Sequence, residues 1–128
     1  MSNNYEKKEN ILQEKAFLFA LKTISLCKYL QREHKEFVIS NQLYRSATSV
    51  GANIAEANFS ESRADFKHKM NVSLKESNES EYWLRLISES GYAYGELDEI
   101  QSLCLDIKYL LIASISTTVK NKKQSTLK

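Results

Sequence analysis

The stretch SVGANIAEANFSESRADF, residues 49–66, decides the fold. Val50, Ile54 and Ala57 continue an apolar series begun by Leu43 and Ala47, at the spacings of three and four that one face of an α-helix produces. At NFSES the series stops. Ser62-Arg63-Ala64-Asp65 then reads as a helix start, with Ser62 and Asp65 able to satisfy free amides. Helix, short turn, helix is the motif. Two features of its first helix are unusual. No charged residue occurs from Ser46 to Ala55, and Ser49, Asn53 and Glu56 run beside the apolar series.

Working outward, four helices are predicted, over residues 10–32, 41–58, 63–90 and 99–119, followed by a flexible basic tail at 120–128. The first rests on Phe17, Leu21, Ile24 and Cys27, with Phe19, Leu26 and Leu30 widening its apolar face. Ser40 or Asn41 is the expected cap of the second, Gly91 the breaker of the third, and Asp98 the cap of the fourth. The fourth carries Ile100, Leu103, Ile107, Leu110 and Ser114 on one stripe. Composition agrees: the 128 residues contain no proline and only Gly51, Gly91 and Gly95 as glycines, too few turn formers for a sheet protein. Hydrophobic residues at 42% and charged residues at 27% are globular values. The expected fold is all-α, one antiparallel up-down four-helix bundle over residues 1–119.

Helix surface in excess of one bundle's needs is also apparent. Thr48, Gly51, Ala52 and Ala55 put small residues on a second face of helix 2, and Leu105, Ile112 and Val119 lie off the main stripe of helix 4. A homo-oligomer is the expected use of those faces.

Helix 3 carries a polar line of its own. Positions 72, 76, 79, 83 and 86 read Val, Glu, Glu, Trp, Leu, and positions 73, 77 and 80 are serines within its core stripe. An antiparallel hairpin turning near Glu61 brings Arg45 and Ser46 level with Glu76, Ser49 with Ser73, and Glu56 with Phe66 and Lys67. Arg45 is the expected partner of Glu76 or Glu79, because its fork can hold a carboxylate at two points. Asn53 is expected to bridge the pair. Arg45, Ser49, Asn53, Glu56, Glu76 and Glu79 therefore form a network that fixes helix register or builds a binding site.

Catalysis lacks a motif. Bundle di-metal sites need Glu-x-x-His pairs, and neither His34 nor His68 completes one, so no metal or other cofactor is expected. No phosphate loop, nucleophile elbow or Cys/His dyad occurs. Cys27 and Cys104 lie in apolar surroundings outside any CxxC, as small core residues of a reducing compartment. No signal peptide or membrane-spanning run is read, and a cytoplasmic location without membrane contact is expected.

QLYRSATSVGANIAEA (42–57) and FKHKMNVSLKESNESEYWLRLISESGY (66–92) together resemble the four-helix bundle proteins encoded in intervening sequences of bacterial 23S rRNA genes. Ser49-x-x-x-Asn53-Ile54-Ala55-Glu56, with Arg45-Ser46 before and Glu76-x-x-Glu79 after, carries the likeness. Ala57 stands where that family often has glycine. The resemblance implies a ring, typically a pentamer, and marks Arg45, Asn53, Glu56, Glu76 and Glu79 as hallmark residues. A related group, the accessory variability proteins of diversity-generating retroelements, looks like a basic pentameric barrel that binds nucleic acid.

The functional expectation is a non-enzymatic oligomer that binds RNA or a ribonucleoprotein. A net charge of +2 is mild, but Arg63, Lys67, His68 and Lys69 cluster at the start of helix 3, and Lys120, Lys122 and Lys123 near the chain end. Tyr92 and Tyr94 are candidate stacking residues. The alternative is a protein-docking scaffold that binds no nucleic acid.

Overall fold

A computed structural model describes the backbone of residues 4–126 and the side chains of residues 11–117. Four helices account for nearly all of it: α1 (Asn4–His34), α2 (Val38–Ala57), α3 (Arg63–Glu89) and α4 (Leu97–Thr126). Each packs on the next along the chain, and α1 closes against α4, while the backbones of the diagonal pairs α1/α3 and α2/α4 do not approach closely among the described residues. With connections as short as 35–37 and 58–62, that adjacency gives an up-down four-helix arrangement. No strand occurs among the described residues.

The ends of the helices follow local chemistry. Ser62 is extended (φ −147°, ψ 162°), and its hydroxyl accepts from Asp65 N, as its position predicts. Gly91, at φ +88°, ends α3 where a left-handed residue is needed. The start of α2 differs from expectation. Neither Ser40 nor Asn41 caps it; the carboxylate of Glu36 accepts from the amides of Val38, Ile39 and Ser40 at 2.8–3.0 Å, and α2 begins at Val38. One carboxylate thus covers three free donors and opposes the positive helix end. Asp98 lies inside the first turn of α4 rather than before it, and α4 continues helical to Thr126, past the expected end at 119.

Two apolar stripes are rotated from their predicted phase. In α1 the buried side chains among those described are Leu12, Ala16, Phe19, Thr23, Leu26, Cys27 and Leu30, whereas Phe17 is 68% exposed and Leu21 half exposed. Apolar side chains ring more than half of this helix, so periodicity alone does not select the arc that turns inward. In α4, Ile100, Cys104, Ile107 and Leu111 are buried, with Leu103 and Leu110 packed at the margin. Over Leu97–Thr117, α4 also meets the length and composition of a membrane span, contrary to expectation, although it packs against α1 and α3.

Some of the apparent surplus on α2 is used within the chain. A Cβ on Gly51 would lie 3.6 Å from the Cβ of Ala16, so this small face is where α1 approaches α2. Other apolar side chains stay uncovered: Ile11, Phe17, Leu18 and Leu21 on α1, and Leu105, Tyr109 and Ile112 on α4. Val119 lies outside the described side chains.

Candidate nucleic-acid interface and the polar line

The α2–α3 seam is built on serine. Ser46 and Ser80 share a hydrogen bond of 2.8 Å, and Ser73 Oγ donates across the seam to the carbonyl of Val50 at 2.8 Å. Both contacts are fully buried. Small side chains let the two backbones approach, and each hydroxyl finds a partner that offsets its loss of water. Ser77 is also buried, bonding back to the Leu74 carbonyl while its own carbonyl accepts from Cys104 Sγ.

At the solvent edge of this seam, the guanidinium of Arg45 donates to Glu76 Oε2 at 3.2 Å and to Glu79 Oε2. The same Glu79 oxygen accepts from the indole Nε1 of Trp83 at 3.0 Å. Arg45 thus joins both carboxylates rather than one. Ser46 is level with Ser80, four residues beyond the expected Glu76, because the helices pair slightly further along. Ser49 and Asn53 do not bridge the pair: Ser49 Oγ donates to the Arg45 carbonyl, and Asn53 Nδ2 to the Ser49 carbonyl, both within α2. A polar residue in mid-helix can satisfy itself on the turn before it, which no spacing argument excludes. Glu56 pairs with Lys69 at 2.9 Å, and that hydrogen bond is the chief cause raising the Lys69 pKa above its ordinary value.

The basic cluster divides. Lys69 is engaged by Glu56, Arg63 makes contacts of its own, and Lys67 and His68 are exposed on the first turns of α3. The side chains of Lys120, Lys122 and Lys123 lie outside those described, but the α4 backbone carries them. Ser77 meets Cys104, and Lys108 Nζ lies 3.1 Å from Glu81. Continued antiparallel, that register sets residues 118–122 of α4 level with the first turns of α3. Both basic segments therefore share one end of the bundle.

Tyr92 and Tyr94 lie at the opposite end, partly buried in an aromatic cluster. Tyr94 packs on Tyr29 (5.1 Å between centroids), Tyr92 on His34 (5.0 Å), and Tyr29 donates to the Ala93 carbonyl at 2.8 Å. Burial is the main cause pushing the Tyr94 phenol up. They close the bundle.

Sequence reasoning missed Phe59, 87% exposed in the turn before the basic start of α3. An aromatic residue in a polar NFSES turn was the available signal. It also missed the Glu79–Trp83 bond, although the spacing of four was visible. No cluster of three or more His, Cys, Asp or Glu able to hold a metal occurs among the described residues.

A profile of the 23S rRNA-intervening sequence proteins matches residues 8–113, across all four helices. The chain belongs to that family. No match was found among functionally curated proteins. A solved structure, described as a protein of unknown function from the S23 ribosomal protein family of Bacteroides thetaiotaomicron, is 45% identical. Its TM-score is 0.81, over 85% of this chain and 98% of that one. The 23S rRNA-intervening sequence family match thus includes both the serine seam and the Arg45 pairings, while residues 114–128, with the three α4 lysines, fall beyond it.

Proposed function

We propose that this protein is a non-enzymatic, cytoplasmic subunit of a helical homo-oligomer, and that it binds RNA through the end of the bundle where α3 begins and α4 finishes. The observation that carries the reading is the antiparallel α3/α4 register, which gives Arg63, Lys67 and His68 the same end as Lys120, Lys122 and Lys123. Glu56, Glu61 and Asp65 share that end and Lys69 is held by Glu56, so the α4 lysines tip its balance to positive. Phosphate contacts from such clusters release counterions and give affinity that falls steeply with salt. In an oligomer the patch repeats, and a pentamer, the number implied by the resemblance, offers five copies to one RNA.

The test is binding of a structured rRNA fragment across a salt series, comparing the protein with a Lys67→Gln, Lys120→Gln, Lys122→Gln, Lys123→Gln variant. Tight low-salt binding with a steep salt slope, made shallower in the variant, is expected. No binding at low salt sinks the reading.

A second reading, a protein-docking scaffold, is favoured by the uncovered residues of α1 and α4. Those side chains serve self-association equally well. Sedimentation of a Phe17→Ser, Leu21→Ser variant separates the two: loss of assembly assigns the face to a second copy, and intact assembly leaves it for another protein.

A further inference from the structure

Phe59 occupies an energetically poor place. Its ring is 87% exposed, the most exposed of the large hydrophobic side chains among the described residues. The next residue adds a second cost, since Ser60 Oγ is buried without a hydrogen-bond partner among the described residues. Two adjacent departures from what stability favours mark a turn retained for something other than stability. Yet the turn is well held. Phe59 N donates to the Glu56 carbonyl and Ser60 N to the Ala57 carbonyl, both at 3.1 Å, and Asn58 Nδ2 is tied to Gln13 Oε1 of α1 at 2.7 Å. The ring is thus presented from a fixed backbone, in the turn that leads into α3, whose second turn carries the exposed Lys67 and His68.

An exposed ring at the end of the bundle that also carries Lys67, His68 and the α4 lysines suits a flat ligand with an anionic backbone. From this, and resting on the RNA-binding reading above, we infer that Phe59 is a base-stacking residue and that the RNA recognised here is unpaired: a loop, bulge or single strand rather than a duplex. A base stacked in an A-form helix has no free face to offer, whereas a splayed base can lie on the ring while its phosphates meet the lysines.

The test uses an RNA of about ten nucleotides carrying 2-aminopurine, single-stranded or annealed to its complement. Binding is compared for the protein, Phe59→Ala and Phe59→Trp. Exposure of Phe59 leaves both variants folded, which circular dichroism checks. The expected result is preference for the single strand, a loss on the order of tenfold in Phe59→Ala, and recovery in Phe59→Trp. Duplex binding should be unchanged by either substitution. Equal binding of single strand by the protein and Phe59→Ala overturns the stacking role while leaving RNA binding intact. A Phe59→Ala variant that binds RNA normally but changes its sedimentation also overturns it, assigning the ring to a second copy of the chain. Absence of binding to either RNA by the unsubstituted protein removes the RNA reading and this inference with it.

Discussion

Arg45 of α2 and Glu79 of α3 are joined across the helix seam through the same carboxylate oxygen that accepts the Trp83 indole proton. Glu76, whose side chain is only 22% exposed, shares the same guanidinium. Removal of Arg45 leaves two neighbouring carboxylates without their cation, one of them largely out of water. Because Arg45 itself is half exposed, Arg45→Ala is expected to cost about 1 kcal/mol rather than the several that a deeply buried pair loses. Denaturant unfolding followed by Trp83 fluorescence measures both the loss and any change around the indole. A folded variant of unchanged stability that fails to bind RNA gives this line a binding role instead.

Gly51 and Thr23 are sites where stability can be gained. A methyl group on Gly51 would make ordinary contact with Ala16 at 3.6 Å, so Gly51→Ala keeps the α1–α2 approach and removes glycine's entropic cost in mid-helix. A gain of about 0.5–1 kcal/mol is expected, read as a rise in the denaturation midpoint.

Thr23 lies fully buried on the core face of α1, and its hydroxyl has no hydrogen-bond partner among the described residues. Thr23→Val keeps the shape and deletes the orphaned group, and about 1 kcal/mol of added stability follows from the desolvation it avoids. At Ser73, whose hydroxyl crosses to the Val50 carbonyl, valine has the opposite effect. It removes a cross-helix bond and forces extra volume into a close contact, for a loss of about 1–3 kcal/mol. Thermal melts of the two variants should move in opposite directions.

Glu36 tests the capping of α2. Its carboxylate covers three backbone amides, so Glu36→Ala is expected to cost about 1–2 kcal/mol, mostly by loosening the first turn of α2. Faster hydrogen exchange at the amides of Val38, Ile39 and Ser40, with the α3 amides unaffected, is the specific readout.

The two thiols give a pH dependence. Burial pushes Cys27 and Cys104 each from 9.0 up to about 12, with a further push from Glu36 and Glu81 respectively. The folded protein therefore favours the neutral thiol more than the unfolded chain does. That contribution to stability is complete below pH 9 and is lost as pH rises toward about 12, where the unfolded chain ionises first. The stability difference between the protein and a Cys27→Ala, Cys104→Ala variant should shrink across that window. At neutral pH neither thiol should react with a thiol-specific dye until the protein is denatured.

How far the sequence could be read depended on which residues had a unique solution. The α2 stripe of Leu43, Ala47, Val50, Ile54 and Ala57 was legible because charge is absent on only part of that helix, and all five are buried. The Arg45–Glu76/Glu79 pairing followed from hairpin register, since few cations stand level with those carboxylates. By contrast, α1 has apolar residues around most of its girth, so Phe17 and Leu21 were misplaced in the core. Ser49 and Asn53 had two satisfying choices, across the seam or on their own helix, and took the local one. Phe59 was invisible to periodicity, because an exposed ring in a turn belongs to no stripe.

The most direct test of the RNA-binding end is a map of backbone amide shift changes on titrating RNA into isotope-labelled protein. The account expects perturbations grouped at residues 59–69 and in the last turns of α4, with the aromatic cluster of Tyr29, His34, Tyr92 and Tyr94 silent. Perturbations centred on Phe17, Leu21 and Tyr109, or none at any RNA concentration, would contradict it.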